Sequence, residues 1–202
     1  MVRRLLVPAA LLAIAAATAL DSTDGAAGQS REHADVMRAK LVQIVVRGEQ
    51  CPCRQRHRTE VTEAEVNGYL KHHATDDVPD GVVSPYITIV GAGRVAGRAI
   101  VDLDRVRTSR QRGWLDPAAY LTGKVPVTAT GILHTVDGNA RFELQSATVG
   151  GLEVPKVVLQ ELLSYYSRTS DDPDGINLDD TFELPSHIRE IQVGNGIAYV
   201  IQ

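Results

Sequence analysis

The sequence predicts an α+β protein built on an antiparallel sheet. Three observations carry this. Apolar residues recur at helical spacing early in the chain, the period changes to two from Val82 onward, and helical spacing returns after Pro155 ahead of a closing hairpin. Helices, then strands, then a helix, then strands is the order of an α+β domain and not of a parallel doubly wound fold.

The first element is a helix over 32–47, where Met37, Leu41, Ile44 and Val45 share one side of the wheel and Gly48 ends the run. A basic loop, 49–60, follows. Thr62-Glu63-Ala64-Glu65 is a capping box, with Val66, Tyr69, Leu70 and His73 behind it at helical spacing, so a short second helix runs from about Thr62 to His73. Val95, Gly97, Ala99, Val101 and Leu103 then alternate with polar residues as a half-buried strand, and Val125, Val127, Ala129, Gly131 and Leu133 repeat the pattern. Asp137-Gly138 reads as a hairpin turn into Phe142 and Leu144. After Ser146 the apolar parity switches to Ala147 and Val149, which predicts a bulge. Pro155 opens the clearest helix, whose apolar face is Val158, Leu159, Leu162, Leu163 and Tyr166. An acidic, turn-rich stretch leads to a last hairpin, Ile188, Ile191 and Val193 against Ile197, Tyr199 and Ile201, closed by Asn195-Gly196.

The composition sets bounds on function. The chain has 202 residues, 44% hydrophobic but only 4% aromatic, with 25 acidic and 21 basic side chains. At this length a chain buries roughly 70% of its unfolded surface, so neither disulfides nor a structural metal is required. The near-balanced charge argues against a nucleic-acid binder. Arg3 and Arg4, an apolar run from Leu5 to Leu20 broken by Pro8, and Ala17-Thr18-Ala19 have the layout of a secretory signal, with cleavage expected after Ala19. The run falls short of the roughly 20 apolar residues of a membrane span. The expectation is therefore a signal peptide at 1–19, a disordered leader at 20–31, and a single domain at 32–202, soluble in the periplasm or outside the cell.

Cys51 and Cys53 flank Pro52, and a disulfide across one residue is strained; a loop with that disulfide or with two thiols is favoured over a metal set completed by His57. Gly91-Ala92-Gly93-Arg94-Val95-Ala96 resembles a dinucleotide fingerprint, but the residues after it alternate at period two where a helix is required, so it reads as a hairpin turn. His72 and His73 are neighbours on a helix and do not chelate from one face; they read as a solvated helix end. Asp171, Asp172, Asp174, Asp179 and Asp180 lack EF-hand spacing and read as a solubilising loop. No serine lies in a nucleophile elbow or a Ser-x-x-Lys motif. The expectation is a non-enzymatic protein without cofactor or metal and without a nucleic-acid partner. Arg54, Arg56 and Arg58, and then Arg105, Arg107, Arg110 and Arg112, form two basic clusters that would touch an anionic membrane transiently if they share a face, at about 1 kcal/mol per charge.

The segment from Thr62 to His72, with Val78-Pro79-Asp80-Gly81-Val82 and the alternating strand to Leu103, resembles the YceB-like periplasmic proteins of the tubular lipid-binding superfamily. Val149-Gly150-Gly151-Leu152-Glu153-Val154-Pro155 is similar to a stretch in secreted phospholipid-binding relatives. The resemblance spans about 60–202 and implies a strongly curved antiparallel sheet wrapped around a long helix, with the helix at 32–47 as an addition. It also implies an apolar groove for a lipid or another hydrophobic ligand. On the residues alone, the small series Gly97, Ala99, Ala129, Gly131 and Ala147 fits close packing and ligand space equally. The candidate lining is Val101, Leu103, Val125, Val127 and Leu133 with Val158, Leu159, Leu162, Leu163 and Tyr166. The alternative is an envelope assembly or protein-interaction module without a ligand.

Overall fold

A computed structural model of the chain describes residues 25–50, 56–74, 78–79, 81–108, 123–167, 174–175 and 177–202. The segment read as a signal peptide and the Cys51/Cys53 pair lie outside the described residues.

Helix α1 (Gly25–Glu49) starts ahead of the expected residue 32, so the end of the stretch read as a leader is helical. Its inner stripe holds the buried Ala34 and Ile44, with Met37 and Leu41 half-buried between them. Strand β1 (Arg58–Thr62) corrects the reading of 49–60 as loop throughout: Thr59 and Val61 are buried and alternate with exposed Arg58 and Glu60. Helix α2 (Glu63–His72) has the expected capping box. Thr62 Oγ1 accepts from the Glu65 amide and the Glu65 carboxylate accepts from the Thr62 amide.

Helices α1 and α2 cross where Gly68 removes the side chain: a Cβ there would lie 2.7 Å from the Ser30 carbonyl oxygen and 2.9 Å from the Ala34 nitrogen. Lys40 bonds both oxygens of Glu65 at 2.7 Å. His72 meets Ser30 at 3.1 Å and His73 meets Asp35 at 2.8 Å. The two histidines fasten α2 to α1 and are not simply a solvated helix end.

The larger sheet is six-stranded and antiparallel. Its order is β2 (Val82–Gly91), β3 (Arg94–Asp102), β4 (Lys124–Val136), β5 (Asn139–Val149) and β6 (Leu152–Glu153), with β7 (Thr181–Glu183) also pairing β5. Two-residue turns join β2–β3, β4–β5 and β5–β6. Ala92-Gly93, Asp137-Gly138 and Gly150-Gly151 take positive φ at both positions, the geometry that matches strand twist. The glycine pair that mimics a dinucleotide fingerprint is thus a hairpin turn. The expected bulge in β5 falls at Gln145, where Thr130 pairs Ser146 but Gly131 pairs Leu144.

Leu103 does not continue its strand. Asp102 Oδ1 accepts from the Arg105 amide and opens helix α3 (Leu103–Thr108). Pro155 likewise precedes helix α4 (Lys156–Ser167), its carbonyl accepting from Val158 and Leu159.

The closing hairpin, β8 (Glu190–Val193) and β9 (Ile197–Ile201), forms as expected but leaves the larger sheet. It joins β1 in a three-stranded sheet ordered β1-β9-β8. Ile44, Ala140, Leu184 and Ile188 are the buried cluster between α1, the β4–β5 hairpin and this small sheet, with Leu133, Phe182, Ile191 and Val200 packed around it. The buried Gln202 closes it, its Nε2 donating to the carbonyls of Ile44 and Ser186 at 2.8 Å.

The fold is α+β with antiparallel sheets, but the described residues do not form a strongly curved sheet wrapped around a long helix. The larger sheet is open and is neither closed nor curled. Helix α1, the addition at the N-terminal side, packs against α2 at Gly68 and against the Ser186 backbone at Gly48, where a Cβ would meet the Ser186 oxygen at 2.5 Å.

Candidate functional site

Strand register divides the larger sheet into two faces, because residues paired across an antiparallel ladder point the same way. Val82, Val101 and Val125 form one row; Ala99, Val127, Val149 and Leu152 the next; Ile87, Gly97, Ala129 and Ala147 the third; and Ile89, Val95, Gly131 and Leu144 the fourth. These four rows are apolar. The opposite face carries Tyr86, Arg98, Thr128 and Thr148 in one row and Thr88, Ala96, Thr130 and Ser146 in another. The Arg98 guanidinium stands 4.4 Å over the Tyr86 ring.

The two ends of the apolar face differ. Toward the β4–β5 turn the face is dry and filled. The Phe142 ring occupies the position a Gly131 Cβ would take, and Leu133 packs on the Ile44 cluster. The small residue at 131 therefore serves close packing and gives no ligand space. Toward the other end, Val101, Val125, Val127 and Val149 are only half-buried, while Ala99 and Ala147 beside them are buried.

Helix α4 packs on β5 at this end. Leu159 and Leu163 are half-buried and Val158 is 46% exposed. The side chains of Leu162 and Tyr166 lie outside the described residues. Leu103 is half-buried on α3, not on the strand. An open cavity of about 290 Å³ lies beside the bulge, between Leu144–Ala147 and Glu153–Lys156. Leu152 and Val157 are missing from the sequence-derived lining, and both are prominent here, 75% and 71% exposed. The Gly150-Gly151 pair is the signal that could have located them, since it places Leu152 opposite Val149.

Among the described residues, Arg56 and Arg58 stand apart from Arg105. Arg54, Arg110 and Arg112 lie outside the described residues, as does the side chain of Arg107. Arg56 is exposed just ahead of β1, and Arg58 places its guanidinium 3.6 Å over the Tyr199 ring. The small sheet bearing them docks at the hairpin-turn end, through Gly138 to Arg189 and Gly93 to Val193. Arg105, paired with Asp102 at 3.9 Å, stands at the opposite end, after β3. Nine strand residues separate these ends, about 30 Å of extended chain. Of the acidic loop, Asp171 and Asp172 lie outside the described residues, Asp174 and Asp180 are exposed, and Asp179 pairs with Lys156.

The polar residues of the Thr62–His72 segment have structural employment. Asn67 bonds the backbone of Ile87, and the Glu63 carboxylate accepts from the Ile89 amide at 2.8 Å and the Tyr86 hydroxyl at 3.0 Å. Burial, the bond to Glu63 and its charge push the Tyr86 hydroxyl up, against an opposing pull from Arg98. The edge of β2 is thus closed by side chains of α2. Among the described residues no His, Cys, Asp and Glu side chains gather into a metal-binding group, and no helix is long and apolar enough to cross a membrane.

No family model matches the chain, and no curated protein matches it. Among solved structures, a crystal structure of lipopolysaccharide binding protein is similar at 16% sequence identity and a TM-score of 0.22, over 72% of this chain. The chain spans 40% of the length of that protein, and a likeness this low carries no argument.

Proposed function

We propose that this chain is an exported, non-enzymatic protein that holds a lipid or another hydrophobic ligand on the apolar face of its six-stranded sheet, at the end where α4 packs on β5. The observation behind this reading is the half-buried valines of two neighbouring rows, Val101 with Val125 and Val127 with Val149, at the end where α4, with half-buried Leu159 and Leu163, packs on β5. Leaving a membrane costs an acyl chain about 0.8 kcal/mol per methylene, so a carrier requires an unbroken apolar lining and not a few isolated contacts. The filled end at Gly131 and Leu133 confines the ligand to the α4 end. Export is inferred from the Arg3-to-Ala19 signal, and the resemblance of the Thr62–His72 segment agrees with a lipid-binding role.

The test is Leu163→Glu. The folded variant, purified without detergent, should lose co-purifying lipid seen by organic extraction of the parent; unchanged lipid content would sink the reading. A second reading, a protein-interaction module without ligand, is favoured by the exposed Val36, Val42 and Val46 on α1. It predicts a ligand-free interior and a partner crosslinked through α1.

A further inference from the structure

We propose that the outer edge of β1 is a self-association site, where a second copy of this chain adds its own β1 antiparallel about Thr59 and joins the two small sheets into one. The site goes beyond the ligand reading, since the small sheet docks at the hairpin-turn end of the larger sheet and α4 packs at the other.

Register fixes what this edge offers. His57 and Gln202 exchange both backbone bonds, at 3.1 and 2.9 Å, and the Glu63 amide bonds the Gly196 carbonyl at 2.9 Å. The register between β1 and β9 is unbroken, so Thr59 and Val61 direct their amides and carbonyls to β9 while those of Arg58 and Glu60 point away from it. Among the described residues nothing bonds these outward groups. Two other edges are closed by side chains. Asn67 and Glu63 cover β2, and on β8 the Thr135 hydroxyl donates to the Ile191 carbonyl at 3.1 Å and accepts from the Ile191 amide at 2.9 Å. Strand β1 has no such clasp, and neither a proline nor a bulge interrupts it.

Charge selects a second copy and its register. Arg58 and Glu60 are exposed on one face of β1, and the Arg58 guanidinium is held there over the Tyr199 ring. The next outward amide, that of Thr62, is already bonded to Glu65. With the pair centred on Thr59, Arg58 exchanges backbone bonds with the partner's Glu60, and Glu60 does so with the partner's Arg58, so opposite charges face each other twice. A centre on Glu60 would set two carboxylates opposite each other, and a centre on Arg58 two guanidiniums. The edge is therefore complementary to itself in one register. The two-fold axis of that pairing stands normal to the sheet. Both α1 helices, which cover the Thr59 side through Arg47 and Ile44, then lie on one face of the joined sheet together with their exposed Val42 and Val46.

The experiment is sedimentation equilibrium, from micromolar to near-millimolar concentration, of the parent, of Arg58→Glu and Glu60→Arg singly, and of the two variants mixed in equal amounts. The parent should dimerise reversibly. Each reversal sets like charges opposite each other in its own dimer, so each variant alone should associate at least about tenfold more weakly. The mixture restores opposite charge at both positions and should recover the parent's association. That recovery also shows that both variants fold, as expected of two exposed positions. A parent that stays monomeric overturns the proposal, as does a variant that dimerises alone as the parent does, or a mixture of folded variants that fails to recover.

Discussion

Asn67 clasps the backbone of Ile87 with both ends of its side-chain amide, donating from Nδ2 to the carbonyl oxygen and accepting at Oδ1 from the amide nitrogen, each at 2.7 Å. The side chain thus occupies the place of a neighbouring strand at the sheet's edge. Its Nδ2 also bonds the Glu63 carbonyl at 2.9 Å, so one residue joins the first turn of α2 to β2.

Asn67→Ala removes both partners of Ile87 together. Each half-buried group left without a bond costs about 1–3 kcal/mol, and a loss of about 2–4 kcal/mol is expected by denaturant melts. Asn67→Asp, which keeps the acceptor and loses the donor, should fall between parent and alanine.

Gly68 is the crossing point of α1 and α2, and the atoms it faces are backbone of Ser30 and Ala34. Backbone cannot turn aside as a flexible side chain does. Gly68→Ala should therefore destabilise by about 1–3 kcal/mol despite alanine's better helix propensity, whereas Ala64→Gly on the exposed side of α2 should cost only about 1 kcal/mol from propensity.

Glu65 titrates low. Burial raises its carboxyl, but the Lys40 ammonium and the Thr62 amide and hydroxyl outweigh that and hold it below its ordinary 4.5. With the folded value lower than the unfolded one, the stabilisation is fully present above pH 4.5 and is lost as pH falls through the folded value. Lys40→Met should cost about 1–3 kcal/mol at neutral pH and flatten the acid limb of the stability curve, measured by urea melts from pH 7 to pH 3. An unaltered acid limb in the variant would show that the pair is not the cause.

At Gly131 the Phe142 ring fills the space, and a Cβ there would also lie 2.5 Å from the Glu143 oxygen. Gly131→Ala should cost about 1–3 kcal/mol by overpacking. The double variant Gly131→Ala/Phe142→Leu should recover part of it, and additive losses would contradict the stacking.

Features specified by short-range chemistry were legible in the sequence. Asp137-Gly138 and Asn195-Gly196 made hairpins, Thr62 and Glu65 made the capping box, and the parity switch after Ser146 marked the bulge at Gln145. What depended on distant partners was not. Nothing local to Arg58–Thr62 says that it will pair with Ile197–Ile201, so β1 reads as loop and the third strand beside the closing hairpin is not legible in the sequence. A strand glycine signals space without saying what fills it, and only the register between Gly131 and Leu144 brings Phe142 over the gap. Half of the candidate lining, Val101, Val125, Val127, Leu159 and Leu163, stands half-buried at one end of the sheet, while Leu133 is at the other.

We propose that the α4 end of the apolar face holds a hydrophobic ligand. Native mass spectrometry of the protein purified without detergent tests it most directly, with organic extraction to identify what is released. A lipid-sized adduct near one per chain, lost in Leu163→Glu, is expected; a parent spectrum of bare protein alone would overturn the ligand reading.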